Sequence, residues 1–145
     1  MESSTFAFPS LEWAQELANR LNARTDYRDS SENWKGTLVM SIMAEPGQLA
    51  SDVNIALDPT GGTIKDVHLT DEAGKKQATF TLLGKYPVWK DILAGKYDIL
   101  TAVMMGKIKL RGHLFRLMLQ LKTPEIILKE MRGMPSRFAD AESAH

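Results

Sequence analysis

The sequence predicts an α+β domain in which a five-stranded, largely antiparallel sheet is covered on one face by helices. Three observations predict it. Apolar residues alternate with a period of two between 34 and 83 and again between 107 and 112, they recur at helical spacing before and after those stretches, and the order helix, strands, helices, one strand, helices keeps the two kinds of element apart. At 145 residues the chain has the size of one domain with one core. That domain is assigned to 10–135, with 1–9 expected as a flexible N-terminus and 136–145 as a mobile tail.

Pro9 and Ser10 introduce the first helix, whose Leu11, Ala14, Leu17, Ala18 and Leu21 follow the i, i+3, i+4, i+7 pattern. The polar stretch from Asp26 to Asn33 fits a short helix or a structured loop. From Trp34 to Met43 the residues Leu38, Met40 and Ile42 alternate with Thr37, Val39 and Ser41, which reads as a strand. Val53, Ile55 and Leu57 form a second strand, and Asp58-Pro59-Thr60-Gly61-Gly62 turns it back as an antiparallel hairpin. The return strand is expected from about Thr63 to Leu69, although Ile64 and Val67 differ in parity and require a bulge or a two-sided setting. Asp71 to Lys75 reads as a turn, and Gln77 to Leu83 as the fourth strand.

After Gly84 the period changes. Pro87 suits a first helical turn, and Val88, Trp89, Ile92 and Leu93 recur at helical spacing up to Gly95. A second helix is expected from about Asp98 to Met105, closed by Gly106. Ile108 and Leu110 then alternate with Lys107, Lys109 and Arg111 as a fifth strand with one wet face. Two helices follow, 114–122 and 125–132, with Gly133 and Pro135 as stop signals.

Composition narrows the function. Eighteen basic residues balance eighteen acidic ones, so there is no net field for a polyanion, and no nucleic acid partner is expected. The absence of cysteine removes thiolate metal sites and cysteine nucleophiles. No stretch approaches the roughly 20 apolar residues of a transmembrane helix, and the N-terminus does not read as a signal peptide. A cytoplasmic location is expected. The nucleophile elbow, zinc-binding, phosphate-loop and dinucleotide motifs are all missing, so the chain reads as not an enzyme, with no catalytic residues, no metal and no cofactor. His68 and His113 read as surface or cap histidines, and Lys107, Lys109 and Arg111 as the charged outer face of an edge strand.

The strongest positive signal is apolar excess. Leu114, Phe115, Leu117, Met118, Leu119 and Leu121 wrap most of their helix and leave only Arg116 and Gln120 as a polar strip. Such a helix needs apolar neighbours on more than one side: the sheet, and then another helix, a partner chain or a ligand. Methionines at 104, 105, 118 and 131 suit surfaces that adapt to varied apolar shapes, although periodicity alone does not separate a filled core from a hollow one.

The ordered set Trp89-x-x-Ile92-Leu93-x-Gly95-Lys96, Ala102-x-Met104-x-Gly106-Lys107-Ile108-Lys109-Leu110-x-Gly112 and Leu117-Met118 resembles the sterol carrier protein 2 family over about Leu11 to Gly133. The resemblance implies a hydrophobic tunnel between the sheet and the helices. It further implies non-catalytic binding and carriage of an apolar lipid: a fatty acid, fatty acyl-CoA, sterol or phospholipid. By position, Trp89, Ile92, Leu93, Ile99, Val103, Met104, Met105, Phe115, Met118 and Leu119 match the segments that line such tunnels. The C-terminal Ser143-Ala144-His145 departs from the peroxisomal signal of the eukaryotic carriers.

The expected partner is therefore a lipid or fatty acyl ligand, with transient membrane contact in place of a transmembrane segment. The alternative is a protein-interaction or dimerisation module serving a lipid-metabolising enzyme, in which the apolar helices pair in a homodimer or on that enzyme. A third reading, an enzyme acting on lipid thioesters through Tyr97, Asp98 or His113, is weaker, since Tyr97 and Asp98 are equally natural at a helix start. The helix between Pro124 and Gly133 is the expected gate.

Overall fold

The computed structural model describes residues 5–139, except the side chains of Leu114 and Phe115. The chain runs β1 (Phe6–Phe8), α1 (Leu11–Asn22), α2 (Thr25–Ser31), β2 (Leu38–Met43), β3 (Val53–Leu57) and β4 (Val67–Leu69). It continues α3 (Glu72–Gln77), β5 (Phe80–Lys85), α4 (Tyr86–Leu93), α5 (Ile99–Met104), β6 (Lys109–Arg111), α6 (Leu114–Met118), α7 (Lys122–Arg132) and β7 (Ser136–Phe138).

Five strands form one sheet in the order β4-β3-β2-β5-β6. Every pair is antiparallel except the central one, β2 with β5. A parallel pair needs a long crossover, and β3, β4 and α3 supply it. The register places Leu38 between Leu57 and Phe80, and Met40 between Ile55 and Leu82. Period-two alternation thus puts one apolar set on one face, and these side chains join the buried core with Trp13, Leu17, Trp89, Ile92 and Ile127. α1 is capped at its start by Ser10, whose hydroxyl accepts from the Trp13 amide at 3.1 Å.

Several expectations are corrected. The N-terminus and tail are not wholly loose: β1 and β7 pair in parallel, Phe6 with Ser136 and Phe8 with Phe138. The cause is aromatic burial. Phe8 is fully buried, with ring centroids 4.8 Å from Trp13 and 6.0 Å from Phe138, and Trp13 Nε1 donates to Ser136 Oγ at 2.8 Å. The expected mobility of 1–4 and 140–145 lies outside the described residues. Ile64 is no part of a strand. It leaves the ladder and is buried, with its amide and carbonyl both bonded by the Asn22 side chain at 2.7 and 3.0 Å, which resolves the parity conflict. The turn expected at Asp71–Lys75 is the start of α3, capped by Asp71 through the Gly74 amide at 3.0 Å. α3 is the crossover helix, and Thr81, which alternates away from Phe80 and Leu82, donates to its Lys75 carbonyl at 3.0 Å. Finally, α6 ends at Met118 rather than 122, and Pro124 sits inside the first turn of α7, where a missing amide costs nothing.

Candidate functional site

An apolar cavity of about 90 Å³ lies between the sheet and the C-terminal half of the chain. Leu38 of β2 and Leu82 of β5 form its floor; Ile99, Leu100 and Val103 of α5 form one wall. Leu117 of α6, Leu121, and Pro124 and Leu128 of α7 complete it. Asp98 and Glu125 are its two ionisable lining residues, and both are exposed, so they belong to the rim. Behind this cavity a void of about 20 Å³ shares Leu38, Leu82, Ile99, Pro124 and Leu128 and reaches Met40, Trp89 and Met131. The two spaces run from rim to core along one apolar track.

Local sequence sets this geometry. Asp98 caps α5 by accepting the Thr101 amide at 2.8 Å, and that backbone hydrogen bond, with one from the Thr101 side chain, holds its carboxyl below the ordinary aspartate value. With the start fixed, Ile99, Ala102 and Val103 fall on one helical face, at i, i+3 and i+4. Ala102 is fully buried, so α5 approaches the domain closely there.

The residues predicted for the lining separate into three groups. Ile99 and Val103 line the cavity, and Trp89 lines the void behind it. Ile92 and Leu93 are buried in the core of α4 and touch neither space. Met104, Met105, Met118 and Leu119 point outward, with exposures of 76%, 58%, 48% and 71%. α5 turns only the stripe of Ile99, Ala102 and Val103 inward. The Phe115 side chain lies outside the described residues. Sequence reasoning missed Leu38 and Leu82, although their strand alternation already placed them on the core face.

The helix expected as the gate is well tied in this structure. α7 buries Ile126, Ile127, Leu128 and Met131 and is tied to its surroundings at several points. Glu130 meets Arg24 at 3.0 Å, the Thr123 and Ser30 hydroxyls share a hydrogen bond at 3.1 Å, and Arg132 donates to the carbonyls of Ile92 and Tyr97, both at 2.9 Å. α5 holds one buried residue, Ala102, and among the described side chains of α6 Leu117 is buried.

The three groups considered for acid–base chemistry have structural partners. Asp98 is the cap described above. Burial raises the Tyr97 phenol above its ordinary value, helped by Asp91, whose carboxylate accepts its hydroxyl at 3.5 Å. His113 Nδ1 accepts the Arg116 amide at 3.4 Å at the start of α6. Of the three, Asp98 alone lines the cavity.

Comparison with known proteins agrees with this architecture. A crystal structure of sterol carrier protein 2 superposes with a TM-score of 0.75 at 24% identity, covering 86% of this chain and 97% of that one. The solution structure of a conserved hypothetical protein from Thermus thermophilus gives 0.77 at 24% identity, over 94% and 97%. Sterol carrier protein 2 from Yarrowia lipolytica, in its apo form, gives 0.59 at 18% identity, over 91% and 98%. No curated protein sequence matches the chain. Among the described residues no helix is long and apolar enough to cross a membrane. The family model of the SCP-2 sterol transfer family matches residues 15–123, and with this fold and this apolar track between sheet and helices, the chain belongs to that family.

Proposed function

We propose that this protein binds one apolar lipid between its sheet and the α5–α7 helices and carries it without chemical change. The observation that carries this reading is the cavity itself: apolar along its length, floored by the sheet, with its ionisable groups at one rim. Burying an acyl or ring system there returns about 0.8 kcal/mol per methylene removed from water, so ten methylenes supply about 8 kcal/mol before the costs of ordering and opening.

At about 90 Å³ the cavity is smaller than the roughly 300 Å³ at which ligand pockets begin. Loading therefore widens it. α5 moves outward, since Ala102 is its one buried side chain, while α7 stays anchored through Arg24 and Arg132. The described state is the closed one, and its walls collapse onto the track that the lipid tail would fill.

The rim restricts the head group. A carboxylate placed at the mouth would meet Asp98 and Glu125, whereas a hydroxyl would donate a hydrogen bond to either. Within the family's range of lipids, a neutral-headed ligand such as a sterol or fatty alcohol fits better than a free fatty acid or an acyl-CoA. Solvent extraction of the purified protein followed by mass spectrometry tests the proposal. A stoichiometric lipid, or uptake of one from added mixtures, is the expected result; recovery of the protein lipid-free after both treatments contradicts it.

A further inference from the structure

β6 is an edge strand: β5 lies on one side of it, and among the described residues no strand lies on the other. Every second residue of such a strand turns its N–H and C=O away from the sheet. Its side chains divide by face. Leu110 pairs with Leu82 and is half-buried against the core, whereas Lys109 and Arg111 pair with Leu83 and Thr81 and project, exposed, from the opposite face. Among the described residues neither cation forms an ion pair. The other edge, β4, differs, because His68 there meets Asp66 at 3.0 Å. Alongside β6 runs a shallow groove lined by Val103 of α5, by Gly106 in the turn after it, and by Lys109 and Leu110. Neighbours in a strand point to opposite faces, so a groove lined by Lys109 and Leu110 together follows the strand's edge.

From this geometry we propose that β6 takes up an extended segment of a partner polypeptide as a sixth strand of the sheet, a segment whose carboxylates stand two residues apart with an apolar residue between them. Backbone hydrogen bonds to the open edge supply the pairing. The carboxylates fall beside Lys109 and Arg111, and the apolar residue falls beside Leu110 and Val103 in the groove. Cations that only guard an edge against aggregation would need no apolar groove beside them. Charge also decides between occupants. A second copy pairing antiparallel about a two-fold axis through Leu110 would set Lys109 directly opposite the partner's Arg111, and like charges so placed destabilise a strand pair. An acidic strand meets the same two positions with opposite charge. Val103 lines both this groove and the lipid cavity, so the segment rests on the outer side of a cavity wall. Docking does not depend on the carrier reading and is measured with no lipid present.

Fluorescence polarisation with the full chain and fluorescein-labelled Thr-Asp-Val-Asp-Thr-amide tests it. Expected is saturable binding at one site per chain. The permuted peptide Thr-Asp-Asp-Val-Thr-amide keeps the charge but puts its carboxylates on opposite faces, and should bind at least about ten-fold more weakly. Of two further peptides, one N-methylated at the valine and one at both aspartates, one should lose binding and the other keep it, since alternate amides of an added strand face β6. The variant K109E/R111E should lose at least about ten-fold of the affinity at an unchanged thermal midpoint, and should gain binding of Thr-Lys-Val-Lys-Thr-amide. No saturable binding of the acidic peptide, equal affinity for the permuted one, or indifference to both N-methylations overturns the proposal, and each of these is read on the wild type. So does a dimer that excludes the peptide, since a second copy would then occupy the edge.

Discussion

The Trp89 indole Nε1 donates to the Ser41 backbone carbonyl at 3.0 Å, fastening α4 to the central strand at the deep end of the apolar track. Trp89 is fully buried, and Gly84 makes the approach workable: a Cβ there would lie 3.1 Å from Nε1 and overlap the Ile108 side chain. Trp89→Phe removes the donor and leaves a small void, so it should cost about 2 kcal/mol, read as a lowered midpoint in thermal or urea unfolding. An unchanged midpoint would mean that the indole contributes nothing beyond its bulk.

Tyr27 gives the opposite expectation. Its phenol is fully buried, and its hydroxyl has no hydrogen-bond partner among the described residues; the Ser31 hydroxyl donates to the Tyr27 carbonyl instead, at 2.6 Å. Tyr27→Phe should be neutral or stabilising by up to about 1 kcal/mol. Burial pushes the phenol from 10.0 up to about 12, so the fold keeps it protonated where the unfolded chain has begun to ionise. The associated stability is present below pH 10 and is lost as pH rises from there toward 12. Denaturation curves across that range should show the Phe variant falling less steeply than the wild type.

At the acid end the relevant group is Asp26. Its bidentate contacts with the Arg24 guanidinium, at 2.8 and 2.7 Å, hold its carboxyl at about 2 against an ordinary 3.8. A depressed carboxyl contributes stability above its unfolded value and loses it as pH falls through the folded one. Arg24→Gln should therefore destabilise the domain at neutral pH, and the difference from wild type should shrink between 3.8 and 2. A difference that stays constant through that window would show that Arg24 acts through Glu130 alone.

The rim charge makes a prediction about specificity. Glu125 faces the cavity mouth without an ion-pair partner among the described residues, so Glu125→Gln removes a repulsion felt by anionic ligands and not by neutral ones. Affinity for a fatty acid should rise about five-fold relative to the matching alcohol, the effect of roughly 1 kcal/mol at a solvated site. Competition titrations with the two ligands measure it, and equal changes for both would place the head group elsewhere.

The strands that build the cavity floor were legible because alternation at Leu38, Met40 and Ile42 and at Phe80 and Leu82 puts one apolar set of each on a single face. The pairing of Phe6–Phe8 with Ser136–Phe138 was not, because two three-residue strands from opposite ends of the chain leave no local period; Phe6 and Phe8 at i and i+2 were the available sign. The site was half legible. Ile99 and Val103 share a face of α5 by spacing, but nothing in the spacing tells which face is inward, so Met104 and Met105 were named with them although both are exposed. Leu82 read as core and not as lining, since a period of two reports the face of a sheet and not whether the space above it is filled.

The most direct measurement is titration of a neutral fluorescent lipid into the wild type and into Val103→Phe, whose ring occupies the cavity. One saturable site per chain in the wild type, weakened at least about ten-fold in the variant at an unchanged melting midpoint, is the predicted result. Non-saturable binding in the wild type, or equal affinity in the two proteins, would contradict the assignment of the lipid to this cavity.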